Sequence, residues 1–198
     1  MADSLNLSLW FPSFTEREMM PRILGVMRQF PFSAQRPGIG YLAVYPISWN
    51  EAPVFTQTFD FRADPERVVA IAVQFLHDDF AYEFEALWDL WMPLEEQPDQ
   101  WQIRSEPVRF FVHALKFDDG AYQQAGHVQV DFGLDTPFLH EEMAFTDLTE
   151  ERVKQNVQRL VGFTTAVEKN CGLSGRVLWS ESEENLAQKL ISRLQKSH

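Results

Sequence analysis

Residues 80–92 read FAYEFEALWDLWM, and this stretch decides the fold class. Its even positions are all apolar, whereas its odd positions include Glu83, Glu85 and Asp89. Successive side chains of a β-strand point to opposite faces of a sheet, so strict alternation is typical of a strand with one buried and one wetter face. The stretch therefore predicts a central strand with three carboxylates on its solvent side.

The residues before this stretch predict a strand, two helices and a β-hairpin. Alternating leucines predict a strand over residues 4–11, and an apolar stripe predicts a helix that follows it. Two runs rich in β-forming residues, 39–47 and 54–61, predict the hairpin. Asp64 followed by Pro65 predicts the start of the second helix, because the aspartate caps backbone amides and proline suits the first helical position.

Residues 1–93 therefore have the element order β-α-β-β-α-β, which predicts a ferredoxin-like unit. Residues 101–198 predict a second unit in the order β-β-α-β-α, and the polar segment 93–100 is the candidate linker. We thus expect an α+β protein with mainly antiparallel sheet and about four helices. It is arranged either as two domains, 1–93 and 101–198, or as one continuous domain, 1–198, with one long sheet or two small ones.

The chain of 198 residues has 29 acidic and 17 basic residues, which gives a formal net charge of -12. Phosphate backbones and anionic membrane surfaces repel such a chain, so we expect neither nucleic acid nor membrane as a partner. The N-terminus lacks the basic and apolar regions of a signal peptide, and no run of about 18 apolar residues occurs. We therefore expect a cytoplasmic protein.

The sequence contains no motif for a nucleophile or a cofactor. The single cysteine, Cys171, lies on the apolar seam of a long predicted helix, where a buried structural thiol is expected rather than a nucleophile. No P-loop, no G-x-G-x-x-G sequence and no G-x-S-x-G sequence is present. We therefore predict no bound cofactor.

The carboxylate row of Glu83, Glu85 and Asp89 is the first candidate for chemistry. Side chains two residues apart on a strand lie about 7 Å from each other on the same face. Such a pair could hold a divalent cation, or act as acid and base if their environments differ. The alternative is the solvated face of an ordinary strand, with Arg109 and other basic residues of the next strand as cross-strand partners.

Metal-ligating residue types recur between residues 127 and 142. The candidates are His127, Asp131, Asp135, His140, Glu141 and Glu142. Their spacing matches no zinc signature, and His127 and Asp131 would lie about 13 Å apart on one strand, too far to bind one ion without help. His113 could approach the group across the predicted hairpin. Another histidine-aspartate group, residues 77–79, is expected to be a turn that ends a helix.

Three tryptophans occupy positions that are uncommon for core residues. Trp49 lies in the predicted hairpin loop, Trp91 has the polar parity of its strand, and Trp101 follows the candidate linker. Exposed tryptophans are typical of binding surfaces, although helices on both sheet faces or a homodimer would bury them as well. These residues predict a surface for a protein partner or for self-association.

The sequence as a whole favours a non-catalytic binding or protein-interaction protein, because no catalytic motif accompanies these tryptophans. A metal-assisted hydrolase that uses the clustered carboxylates is the alternative hypothesis. A carrier of a small apolar ligand, held between the sheet and the helices, is the third hypothesis.

Overall fold

Seven strands form one antiparallel sheet in the computed structural model, which describes residues 3–94, 96–97, 100–139, 147–181 and 186–195. The strands are β1 (Ser4–Trp10), β2 (Ile39–Pro46), β3 (Phe55–Ala63), β4 (Phe80–Pro93), β5 (Trp101–His113), β6 (Val128–Leu134) and β7 (Gly175–Ser180). Their order across the sheet is β3-β2-β4-β5-β6-β1-β7. The predicted α+β class with antiparallel sheet is confirmed.

Six α-helices accompany the sheet in the described residues. The helices are α1 (Glu16–Met27), α2 (Pro65–Ala72), α3 (Tyr122–Ala125), α4 (Thr136–Leu139), α5 (Asp147–Asn170) and α6 (Leu186–Gln195), of which α3 and α4 are single turns. Asp64 caps α2 as predicted, since its side chain accepts a hydrogen bond from the backbone N–H of Glu66 at 3.0 Å. None of the described helices is both long enough and apolar enough to cross a membrane.

The alternation predicted for residues 80–92 is confirmed. The central even positions of β4 are buried: Tyr82, Phe84, Ala86, Trp88 and Leu90. Residues of α1, α2 and α5 belong to the same hydrophobic cluster, so these helices cover this face of the sheet. Each large apolar side chain buried here stabilises the fold by roughly 1.5–3 kcal/mol relative to an exposed one.

β1 lies far from the strands that are its neighbours in sequence. It pairs with β6 on one side and with β7 on the other, whereas β5 and β6 separate it from β4, β2 and β3. A ferredoxin-like unit needs its first strand beside other strands of the same unit. The predicted ferredoxin-like arrangement of residues 1–93 is therefore not confirmed, because both partners of β1 come from the second half of the chain.

One sheet thus joins both halves of the chain. β4 and β5 pair along almost their whole length, from Ala81 opposite His113 to Pro93 opposite Trp101. The candidate linker 93–100 consequently connects two neighbouring strands of the same sheet. The two domain arrangements given by the sequence, two units (1–93 and 101–198) or one continuous domain (1–198), both stay predictions.

Candidate functional site on the open face of the sheet

We call the face of the sheet opposite α1, α2 and α5 the open face. The strand register aligns one row of side chains on it across six strands: Tyr41, Glu85, Arg109, Asp131, Asn6 and Trp179. A neighbouring row holds Glu83, Phe111, Gln129 and Ser8. The predicted solvent row of β4 is therefore part of a wide, mainly polar surface.

A depression of about 1000 Å³, which we call the recess, opens on this face. Its lining includes Tyr41, Tyr45, Arg62, Glu83, Glu85 and Arg109. Residues 35–37, which precede β2, and residues 58–62 of β3 also line it. The structure thus brings two of the predicted carboxylates into one recess and surrounds them with tyrosine and arginine.

Irregular strand pairing places Arg62 in the recess. The register of β2 shifts next to Gly40 against both β3 and β4, so the strands bulge there. The Arg62 guanidinium lies over Gly40, at which a β-carbon would be 2.8 Å from the guanidinium carbon. Its Nη1 donates a hydrogen bond to the backbone oxygen of Gly38 at 3.3 Å. Phe61, the preceding residue, is 94% exposed.

Hydrogen bonds and ion pairs join the polar groups of the recess. The Tyr45 hydroxyl donates to Glu83 Oε2 at 3.0 Å, and Arg109 Nε lies 3.7 Å from Glu83 Oε1. Arg62 Nη2 lies 3.9 Å from Glu85 Oε1. Burial and the nearby Glu83 carboxylate raise the pKa of Tyr45 to about 12, so its hydroxyl keeps its proton at neutral pH. The recess therefore presents hydrogen-bond donors beside carboxylates that already have cationic partners.

Asp89 lies apart from the other two predicted carboxylates. Its carboxylate accepts hydrogen bonds from the Ala34 N–H and the Ser105 hydroxyl, each at 2.9 Å. Burial acts to raise the pKa of Asp89, but hydrogen bonds from Ser33, Ala34 and Ser105 outweigh it and hold the pKa below its usual range. Asp89 lines a separate depression of about 450 Å³, and its hydrogen bonds hold the loop before β2 against the sheet.

Trp49 is the exposed member of the three predicted tryptophans. It is 38% exposed and packs edge-on against Tyr45 and Phe111, with ring centroids 5.0 and 5.5 Å away. Trp91 is half-buried, and its Nε1 donates a hydrogen bond at 2.7 Å to the side chain of Gln155 on α5. Trp101 is half-buried as well. The open face therefore receives one of the three tryptophans as a surface residue.

The described members of the predicted metal group make separate hydrogen bonds. His127 Nδ1 accepts the backbone N–H of Phe11 at 3.0 Å. Asp131 Oδ1 accepts the N–H of Gly133 at 2.8 Å, and Asp135 Oδ2 accepts the Ser180 hydroxyl at 3.1 Å. The remaining candidates lie outside the described residues: His140, Glu141 and Glu142.

Another group brings metal-ligating atoms together within the described part of the chain. One ligand atom from each of His77, Asp78 and Asp79 lies within 4.8 Å of the others. These residues form the turn before β4, as predicted. Lys116 Nζ lies 2.5 Å from Asp78 Oδ2, so this carboxylate already has a cationic partner. One of the three ligand-type residues, Asp78, is therefore already paired with a lysine, and His77 is the exposed member of the group.

Sequence reasoning did not select Tyr41, Tyr45 or Arg62 as site residues. The signal that could have found them is the pair Gly38 and Gly40 at the start of a predicted strand. Glycine in a strand marks a bulge or a close approach of another group, and here it marks the position of the Arg62 guanidinium.

The chemistry that this arrangement supports is recognition by hydrogen bonds and charge. Guanidinium and hydroxyl groups face the recess, and the exposed rings of Trp49 and Phe61 lie near it in the β2–β3 segment. Comparison with protein-family models, with curated proteins and with solved structures finds no match to this chain.

Proposed function

We propose that the protein is a non-catalytic protein-interaction module whose partner binds on the open face around the recess. The observation that carries this proposal is the lining of the recess: tyrosine and arginine side chains surround a volume of about 1000 Å³ beside the 94% exposed Phe61. Tyrosine, tryptophan and arginine dominate the binding energy of protein interfaces, because they combine large contact area with hydrogen bonding.

The surroundings of the carboxylates give less support to the alternative, a metal-assisted hydrolase. Glu83 and Glu85 lie 3.7 and 3.9 Å from arginine nitrogens. A metal site needs carboxylates that are free to bind the cation, and an acid–base pair needs two carboxylates in contrasting environments. Two glutamates with similar arginine partners fit a binding surface better.

The polarity of the recess likewise gives little support to a carrier of a small apolar ligand. Sites for such ligands are lined predominantly by hydrophobic side chains. Charged side chains and tyrosines make up much of the lining of this recess, and the large rings of the sheet pack against the helices on the other face.

The test is a selection of random peptides on the immobilised protein, followed by mapping of the selected peptides by NMR. We expect them to shift the backbone amide signals of the open-face rows. The double variant Phe61→Ser, Arg109→Gln should weaken their binding about tenfold, or about 1.4 kcal/mol. Arg67→Gln is the matched control, since this exposed arginine lies on α2. Peptides that map to the helices, or that bind both variants equally, would contradict the proposal.

A further inference from the structure

We infer that the recess contains a carboxylate-binding subsite centred on the Arg62 guanidinium, which anchors an acidic side chain or a chain terminus of the partner. This inference rests on the proposed function and assigns a ligand chemistry to the same surface. Three observations support the inference: Arg62 has unused hydrogen-bond donors, two glycines make room for its guanidinium, and charged groups surround it.

Most hydrogen-bonding capacity of Arg62 is unused by the described residues. A guanidinium has five N–H donors in a planar fork. The hydrogen bond to Gly38 occupies one of them, and the 3.9 Å separation from Glu85 exceeds hydrogen-bond length. The side chain is nevertheless only 15% exposed. A mostly covered guanidinium with open donors that line a recess is suited to accept a planar oxyanion.

The backbone reserves the space that the guanidinium occupies. A β-carbon at Gly40 would lie 2.8 to 2.9 Å from three guanidinium atoms, which is closer than such carbons normally approach. Gly38 has a φ of +93°, and a β-carbon there would lie 2.5 Å from the backbone oxygen of Ala63. The two glycines therefore allow Arg62 to be held in place before a ligand arrives, which lowers the entropy that binding costs.

Further donors face the same volume. Arg36 and Arg109 line the recess, and the Arg109 side chain is 50% exposed. Burial lowers the pKa of Arg62, Glu85 partly offsets this effect, and Arg36 lowers the pKa further. Cationic groups thus approach one another in the recess, and an anion between them would relieve their repulsion.

The charge of the lining favours a singly charged anion over phosphate. Three arginines and three acidic residues line the recess: Arg36, Arg62, Arg109, Asp60, Glu83 and Glu85. Their formal charges cancel, so a second negative charge on the ligand would be repelled by the two glutamates. A carboxylate also matches the two parallel N–H groups of one guanidinium. The net charge of -12 opposes anions at long range, but distant charges are screened beyond about 10 Å at 0.1 M salt.

The test follows the arginine side-chain Nε–H signals of the ¹⁵N-labelled protein during titrations at constant ionic strength. Sodium acetate should shift the Arg62 signal saturably, inorganic phosphate should bind more weakly, and acetamide, the neutral analogue, should have no effect. Arg62→Lys keeps the charge but loses the fork, and should weaken acetate binding about fivefold, measured on the Nε–H signals of Arg36 and Arg109, which line the same recess in both proteins. Gly40→Ala displaces the guanidinium and should act in the same direction. Arg67→Lys should change nothing.

Several outcomes would overturn the subsite. They are an unsaturable shift, an equal shift at Arg67, an unchanged affinity in Arg62→Lys, or a tighter response to phosphate. The selected peptides distinguish a failure of the carboxylate subsite from a failure of the proposed function. If they bind the open face equally well after every carboxylate is converted to an amide, the interaction surface stands and the carboxylate subsite fails. If no peptide binds the open face, the proposed function itself fails.

Discussion

At the residue scale, His127 shows how tertiary contacts set the protonation state of a side chain. It is 7% exposed, and the rings of Phe14 and Tyr122 stack on it with centroids 4.5 and 4.8 Å away. Its Nδ1 accepts the N–H of Phe11, so the neutral ring carries its proton on Nε2. Burial, with the nearby His113 as the second cause, lowers the pKa of His127 to about 4.

This histidine predicts a loss of stability on mild acidification. The pKa of His127 is about 4 in the folded protein, below the ordinary value of 6.5. Between these two pH values the unfolded chain therefore binds a proton on His127, whereas the folded chain does not. The contribution of neutral His127 to the free energy of unfolding is complete above pH 6.5. It falls as the pH drops towards 4, by at most about 1.4 kcal/mol per pH unit. Urea unfolding at several pH values measures it.

The variant that tests this prediction is His127→Gln. A glutamine in place of His127 would retain an acceptor for the Phe11 N–H but could not titrate, so the free energy of unfolding should depend less on pH than in the wild type. Equal pH dependence in the wild type and His127→Gln would show that His127 is not the group responsible.

At the scale of secondary-structure elements, α5 completes the outer half of β4. β2 pairs with β4 only as far as Ala86, and beyond it a single antiparallel bridge joins Phe32 to Trp88 on that side. Asn156 of α5 takes the place of a strand further along: Oδ1 accepts the Trp91 N–H at 2.9 Å and Nδ2 donates to the Trp91 oxygen at 2.8 Å. Nδ2 also donates to the Pro137 oxygen at 2.9 Å. Asn156 is thus buried, and its amide oxygen and both amide N–H groups are hydrogen-bonded.

Replacing Asn156 by leucine should therefore be costly, although leucine has nearly the same size. The change leaves the backbone groups of Trp91 and Pro137 without these partners, and an unsatisfied buried group costs about 1–3 kcal/mol. We expect a loss of about 2–5 kcal/mol in the free energy of unfolding, together with faster hydrogen exchange at the Trp91 amide. Asn170→Leu is the control on the exposed end of α5. A comparable loss in both variants would refute this role.

At the scale of the whole molecule, the sheet ties together segments that are far apart in sequence. β1 forms antiparallel ladders with β6 and β7, so the first strand of the chain depends on residues beyond 127. The covered face of β1 is buried in the same hydrophobic cluster as α5. Each half of the chain alone would expose a row of apolar side chains and unpaired strand edges.

We therefore predict that neither 1–93 nor 101–198 folds by itself. Each fragment should give a poorly dispersed NMR spectrum. In fragment 1–93, β1 lacks both of its partner strands. In fragment 101–198, β1 is missing from its place between β6 and β7. The full chain should unfold in one transition, with coincident circular dichroism and tryptophan fluorescence curves. A well-dispersed spectrum for residues 1–93 would instead support the separate N-terminal unit that the element order suggests.

Local physical chemistry explains which features could be predicted from the sequence. The alternation of β4, the Asp64 cap of α2 and the apolar seam of α5 each depend on residues within one element, and each is found in the structure. The acidic row of β4 was also predictable, since strand parity alone places Glu83 and Glu85 on one face.

Tertiary structure alone decided the strand order and the composition of the recess. The place of β1 in the sheet depends on pairing between residues more than 100 positions apart. Over such a separation several strands could pair with β1, and no local sequence pattern selects one of them. Arg62 reaches Glu85 only because bulges beside Gly40 turn it onto the open face. Sequence by itself thus determined the elements and their buried faces, whereas the site required the register between strands, which is a property of the whole sheet.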